Sequence, residues 1–124
     1  INLVKNKKQI DENIFKNEFT VVDARSRERF EGKVKEPRKG LRSGNIKNSF
    51  CLPFSELIND DRTFISKDKI DEKFKSLNFD LSKNLVFSCG SGVTASVLAL
   101  AYSLINDKYQ PCIYDGSWAE YGKI

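Results

Sequence analysis

The chain contains no histidine and no methionine, and only three cysteines, three prolines and one tryptophan. Each scarcity removes a class of chemistry. Without histidine, this chain cannot by itself build a Cys–His pair or a His-ligated metal site, and no metal or other cofactor is expected. Cys51, Cys89 and Cys112 are odd in number and too few for a disulfide framework. That usage points to a reducing compartment, the cytoplasm, with at least one thiol outside any disulfide. No apolar run approaches the roughly 18 residues that a membrane-spanning helix needs, and no signal-peptide pattern opens the sequence. A membrane partner is therefore not expected. The lack of methionine even at position 1 suggests a processed product or a piece of something longer.

What is present is ordinary for a globular domain. The 124 residues are 40% hydrophobic and 31% charged, enough for a single domain over 1–124 with one core. The net charge of +4 comes from lysines interleaved with acids, as on a solvated surface. No basic run alternates with aromatics, so nucleic acid is not an expected partner. One denser stretch, "GKVKEPRKGLR" at 32–42, is suited to attracting a small anion.

Strand-like and helix-like patterns alternate along the chain. "FTVVDA" (19–24), "NSFCLPF" (48–54), "NLVFSC" (84–89) and "QPCIYDG" (110–116) have strand composition. "KKQIDENIFKN" (7–17) predicts a helix with Ile10, Ile14 and Phe15 inward, and "KDKIDEKFKSL" (67–77) one that buries Ile70, Phe74 and Leu77. "TASVLALAYSLI" (94–105) is apolar nearly all round, the pattern of a buried helix. Such alternation predicts an α/β domain, with a mainly parallel central sheet flanked by helices on both faces. The connector from Arg25 to Asn48 is long and rich in charge, as functional loops often are.

The stretch "SCGSGVTA" (88–95) places Cys89 at the carboxyl end of a strand and directly before a helix. Ligands of parallel α/β sheets bind outside such strand ends. Gly90, Ser91, Gly92, Val93 and Thr94 are small or uncharged, so their amides can curl toward one point and favour negative charge. A thiol held there loses its proton more readily. Ser91 and Thr94 add hydroxyls, and Thr94 is placed to cap the helix. A lone cysteine is more often simply buried, but position, glycines and hydroxyls together favour an anionic sulfur site. Cysteine phosphatases, which share this kind of cradle, need an arginine six positions after the nucleophile. Here that residue is Ala95, and no arginine follows it. Phosphoryl transfer would lack its main electrostatic stabilisation.

"VVDAR" (21–25), "RFEG" (29–32), "EPRKG" (36–40), "SGNIKNSFCLPF" (43–54), "DLSKNLVFSCGSGVTA" (80–95) and "YDGSWAEY" (114–121) together carry a family resemblance. The chain resembles the rhodanese family, in particular the C-terminal catalytic domain of two-domain 3-mercaptopyruvate and thiosulfate sulfurtransferases. The resemblance implies a single rhodanese-like domain acting as a sulfurtransferase. In that class Cys89 would take a sulfur from a small anionic donor, 3-mercaptopyruvate or thiosulfate. The resulting persulfide would pass its sulfur to cyanide, a thiol or thioredoxin.

By the same resemblance, Ser91 would relay a proton, the amides from Gly90 to Thr94 would hold the persulfide, and Arg29 and Arg38 would grip the donor carboxylate. An uncharged loop favours mercaptopyruvate, because thiosulfate-type members carry basic residues there. The resemblance also implies a missing N-terminal rhodanese domain that contributes an acidic residue to the proton relay. Asn45 stands where the family usually has a structural histidine. The alternative is a rhodanese-fold binding, regulatory or persulfide-carrier module without turnover. Read without the family, Asp23 and Arg25 suggest a strand-end ion pair and Trp118 a core anchor, packed with Asp115 and Gly116 against the helix after the cysteine. Cys51 and Cys112 suggest buried, inert thiols.

Overall fold

A computed structural model of the chain describes residues 4–80, 82–90, 94–106, 109 and 112–124. Its elements run β1 (Val4–Lys5), α1 (Lys7–Lys16), β2 (Phe19–Asp23), α2 (Arg27–Phe30), β3 (Phe50–Cys51), a 3-10 turn (Phe54–Leu57), α3 (Lys67–Lys75), β4 (Asn84–Ser88), α4 (Ala95–Ile105), β5 (Ile113–Tyr114) and α5 (Ser117–Tyr121). The five strands form one sheet in the order β1-β5-β4-β2-β3, with every pairing parallel. β2 and β4 pair along their full lengths, Phe19 opposite Asn84 through Asp23 opposite Ser88.

Both central strands are apolar at consecutive positions because both faces are covered. Val22, Leu85 and Phe87 belong to the core cluster that contains Ile70 and Phe74 of α3 and Leu98 and Tyr102 of α4. Val21 and Val86 point the other way, into a second cluster with Ile10 of α1 and Trp118 of α5. The expected flanking by helices on both faces is what the chain adopts.

Local chemistry explains the helix limits. Asn6 and Gln9 form a reciprocal capping box at the start of α1, and Asn17 ends it in the left-handed conformation at φ 51°. Ser66 caps α3 by accepting from the Lys69 amide. Two expectations about buried faces are corrected. Phe15 is 89% exposed, because α1 turns its Ile10 stripe to the sheet and Phe15 lies off it. α4 buries Ala95, Leu98, Ala99, Ala101 and Tyr102 but leaves Leu100 55% exposed, so its uniform apolarity overstates its burial.

An aromatic group binds α3, α4 and the sheet together. Phe74 and Tyr102 rings lie 4.8 Å apart, as do Tyr102 and Tyr109, and Phe87 sits 6.0 Å from Tyr109. Tyr109 also completes backbone bonding. Its hydroxyl donates to the Leu85 carbonyl at 3.1 Å and accepts from the Cys112 amide at 3.1 Å. Burial pushes its phenol well above the usual range.

The connector after β2 is tied down by charge. Arg25 is fully buried and bonds Asp23 (Nη2–Oδ2 2.8 Å), Glu36 (Nη1–Oε2 3.3 Å) and the Gly44 carbonyl (2.7 Å). The expected strand-end pair is present, but as one link of a longer chain. At its far end the connector meets the C-terminal residues. Leu41 bridges Lys123 antiparallel, and the Arg42 amide donates to the Gly122 carbonyl at 2.8 Å. Gly122 is required there, since a Cβ would lie 2.5 Å from the Trp118 ring.

Two stability predictions follow from these contacts. Tyr109→Phe leaves the Cys112 amide and Leu85 carbonyl short of a buried partner and should cost about 1–3 kcal/mol in urea unfolding. Arg25→Met leaves the buried Asp23 carboxylate without its ion-pair partner and Glu36 with Arg29 alone, and should cost about 3–5 kcal/mol in the same measurement.

Candidate active site

Parallel strands deliver their carboxyl ends to one edge of the sheet, and β2 and β4 deliver Asp23 and Ser88 side by side. The chain leaves β2 as Ala24–Arg25 and β4 as Cys89–Gly90, with the Ala24 amide donating to the Ser88 carbonyl at 2.8 Å. A cavity of about 380 Å³ opens over these ends. Its lining includes Arg29, Glu36, Arg38, Phe54, Gly90 and Thr94. That volume lies within the range of small-molecule sites.

Cys89 is fully buried on the α4 side of the sheet and does not itself line the cavity, whose wall includes the next residue, Gly90. Its amide donates to Ser117 Oγ at 3.0 Å, and the same oxygen lies 4.0 Å from Cys89 Sγ. Ser117 sends its own proton to the Tyr114 carbonyl at 2.8 Å, which leaves the hydroxyl oxygen able to accept from its neighbours. The Trp118 amide donates to the Cys89 carbonyl at 2.9 Å and the Ala119 amide to the Gly90 carbonyl at 2.8 Å. Ser117 holds φ at 49°, a conformation that a non-glycine residue keeps only when its surroundings impose it. The four bonds just described are that imposition.

The other expected site residues divide into those brought together and those outside the described residues. Arg29, Arg38, Gly90 and Thr94 all line the one cavity. Arg29 rises from α2 and lies against Gly90, where a Cβ would come within 2.9 Å of Arg29 Nη2. Gly90 is thus needed for close approach of the guanidinium. Arg38 is exposed at the rim and has no ion-pair partner among the described residues. Thr94 occupies the N-cap position of α4 without a side-chain capping bond, so its expected hydroxyl cap is not made. Ser91, Gly92 and Val93 lie outside the described residues.

Two residues escaped the sequence reading. Glu36 has a fully buried side chain held by both arginines: Arg29 Nε at 3.1 Å, Arg29 Nη2 at 2.6 Å and Arg25 Nη1 at 3.3 Å. In sequence it reads as one acid in a basic loop. Its position before Pro37, in the stretch of highest positive charge, was the available signal. Ser117 was visible only as part of "YDGSW".

Charge is handled by pairing. The Glu36 bonds hold the Arg29 guanidinium above its ordinary pKa, with the partly opposing cost of burial. Desolvation raises the Asp23 carboxyl, against the lowering effect of its Arg25 bonds. The remaining thiols are disfavoured as anions. Burial, with Asp23 adding, pushes Cys51 up to about 12, and burial also raises Cys112. No disulfide joins the three cysteines. Among the described residues no cluster of acids and cysteines could hold a metal ion, and no helix is long and apolar enough to cross a membrane.

Trp118 is the expected buried anchor, but on the other side of the sheet from α4. It packs with Ile10 and Val21, between the guanidiniums of Arg25 (4.5 Å) and Arg42 (4.8 Å). Its link to the cysteine is through the strand end and not through the helix.

A mouse 3-mercaptopyruvate sulfurtransferase is 42% identical over 118 residues, which are 95% of this chain and 39% of that protein. An Arabidopsis thaliana mitochondrial thiosulfate/3-mercaptopyruvate sulfurtransferase is 38% identical over 91% of this chain and 30% of its own length. The crystal structure of SseA from Escherichia coli, described as a 3-mercaptopyruvate sulfotransferase, superposes with a TM-score of 0.76 at 31% identity, over 93% of this chain and 42% of that one. The chain thus spans about two-fifths or less of the relatives it matches. The model of the rhodanese-like domain matches residues 6–123, nearly the whole chain, and the chain belongs to that family.

Proposed function

We propose that this domain is the catalytic, C-terminal-type half of a two-domain sulfurtransferase and that Cys89 carries the sulfur. The observation that carries this reading is positional. Cys89 ends the central strand directly before Gly90, and Gly90 and the Arg29 guanidinium against it line one small-molecule cavity.

The donor favoured by the uncharged loop is 3-mercaptopyruvate, with thiosulfate second. Arg29 and Arg38 line the cavity and would hold its carboxylate, a natural partner for a guanidinium. The Cys89 thiolate attacks the donor sulfur, forming an S–S bond as the C–S bond breaks. The electron pair leaves on carbon as the enolate of pyruvate, which takes a proton to become pyruvate. The donor's thiol hydrogen remains on the outer sulfur or supplies that proton. An acceptor thiol or cyanide then attacks the outer sulfur, the S–S bond breaks, and Cys89 returns as thiolate. Ser91 would relay the proton, and the amides of Gly90 to Thr94 would hold the persulfide.

Ser117 supports the same role for Cys89 by accepting from its amide, which fixes the backbone on which the cysteine sits. The sister domain implied by the longer relatives would close over the cavity mouth, where Arg38 and the exposed Phe54 stand.

Mass spectrometry after incubation with 3-mercaptopyruvate should find one added sulfur on the Cys89 peptide and none on Cys51 or Cys112. Cys89→Ser should abolish it. Absence of the adduct with either donor, or its persistence in Cys89→Ser, refutes the reading. Arg38→Gln, at the exposed rim, should raise KM for mercaptopyruvate about tenfold or more by removing one charged hydrogen bond. Unchanged KM would remove Arg38 from the site.

A further inference from the structure

We propose that a second cavity, beside the one already described, anchors the sulfur acceptor, and that the acceptor it fits is a thiol carrying a carboxylate several bonds from its sulfur. This rests on the sulfurtransferase reading above and goes further, from the donor half of the cycle to the acceptor half.

The second cavity lies where the long connector meets the last residues of the chain. Leu41 and Lys123 form an antiparallel bridge, the Arg42 amide donates to the Gly122 carbonyl at 2.8 Å, and the Ile124 amide donates to the Gly40 carbonyl at 3.0 Å. Beside that short ladder is a space of about 340 Å³, the size of a small-molecule site. Its wall is divided by chemistry. Arg38, Lys39 and Lys123 bring positive charge, Leu41, Ala119 and Ile124 bring apolar surface, and no Asp or Glu side chain lines it. None of these three cations has an ion-pair partner among the described residues. The one acid of α5, Glu120, is engaged elsewhere, its Oε1 accepting from the Tyr114 hydroxyl at 2.6 Å. A concave wall with charge of one sign draws anions, and the apolar part suits a hydrocarbon body behind the charge.

Position ties this cavity to Cys89. Arg38 and Leu41 line both cavities, so the two share a wall and one ligand can lie across it. Ala119 belongs to the second cavity, and its amide donates to the Gly90 carbonyl at 2.8 Å. The Trp118 amide beside it donates to the Cys89 carbonyl at 2.9 Å. α5 therefore touches the second cavity with one residue and holds the backbone of the cysteine with that residue and its neighbour. A thiol anchored by its carboxylate beyond Leu41 would reach back into the first cavity with its sulfur foremost.

Once the donor has left its sulfur on Cys89 and departed as pyruvate, the first cavity is open to that thiol. The acceptor thiolate attacks the outer sulfur of the persulfide. A new S–S bond forms, the old one breaks, and its electron pair returns to Cys89 Sγ. The transferred sulfur keeps its hydrogen, so the product is an organic persulfide and no outside oxidant or reductant is consumed.

Matched acceptors read the anchor directly. The thiols 6-mercaptohexanoate and 6-mercapto-1-hexanol share a chain and differ in the terminal carboxylate. With native protein and either sulfur donor, kcat/KM should be about tenfold higher for the acid, and the advantage should shrink as salt is raised. In the double variant Lys39→Gln/Lys123→Gln the acid-to-alcohol ratio should fall about fivefold, with the loss in KM for the acid. Both lysines are exposed and unpaired among the described residues, so the variant keeps the fold. A structural effect alone would lower both acceptors alike. Equal kcat/KM for acid and alcohol in the native protein, or an unchanged ratio in the variant, overturns the proposal. So does a matching rise in KM for the donor, which would make the cavity part of the donor's site. Thiocyanate formed from cyanide, assayed in parallel, separates the two failures. Its absence with both donors sinks the sulfurtransferase reading and this inference with it, whereas its presence beside an acid-to-alcohol ratio of one sinks this inference alone.

Discussion

Four alternating charges, Asp23–Arg25–Glu36–Arg29, run from the end of β2 out to the cavity, and the site exists only while that chain is intact. Three of the four are almost wholly buried, so each carries a desolvation cost that only its neighbours offset. The interior has no cheaper way to satisfy them. Arg25 shows how complete the offset is: every one of its nitrogens has an acceptor, and its flat face rests 4.5 Å from the Trp118 ring. Removing Arg25 leaves the buried Asp23 carboxylate without its ion-pair partner. Such chains are weak sources of stability compared with apolar packing but strong sources of unique geometry, and here geometry is what the site uses. Through Glu36 and Gly44 the chain pins both halves of the long connector to the sheet edge. A segment with little secondary structure thereby becomes one wall of a cavity.

Pattern in the sequence tracks how much of an element is packed. β2 and β4, covered on both faces, were legible as apolar runs, and α1 and α3 as stripes at helical spacing. β1, a two-residue strand that pairs only with β5, has nothing to distinguish it. α2 and α5, at four and five residues, are too short to show a period. Phe15 misled because apolarity and burial are separate properties, and a helix that shows one stripe to the sheet can leave a neighbouring aromatic in solvent. α4 misled in the same way, since a helix without charges gives no sign of which face is outward.

The candidate site was partly legible for a related reason. Cys89, Gly90 and Thr94 are local in sequence and announce themselves by spacing. Arg29 and Arg38 came only through family resemblance, and the fold then places both at the cavity. Glu36 stayed hidden because its role is relational. A carboxylate among lysines reads as solvated surface until the fold buries it between two guanidiniums. Ser117 stayed hidden because what marks it is a backbone angle, which no side-chain pattern reports.

Three buried thiols share one small domain, and burial alone does not distinguish them. Their neighbours do. Cys51 lies beside the Asp23 carboxylate, which opposes a second negative charge, and it donates only to the Arg25 carbonyl at 3.6 Å. Cys112 closes the second core cluster beside Val86 and Tyr114. Cys89 alone ends the central strand, with a hydroxyl 4.0 Å from its sulfur and with Gly90, the next residue, at the cavity wall. The cavity wall beyond Gly90 is cationic, because Arg29 is held there with one edge unspent. Positive charge thus stands against the residue after Cys89, whereas Cys51 has the Asp23 carboxylate beside it together with the guanidiniums of Arg25 and Arg27. The ion-pair chain that builds the cavity produces that difference: its Asp23 end lies against Cys51 and its Arg29 end lies against the residue after Cys89.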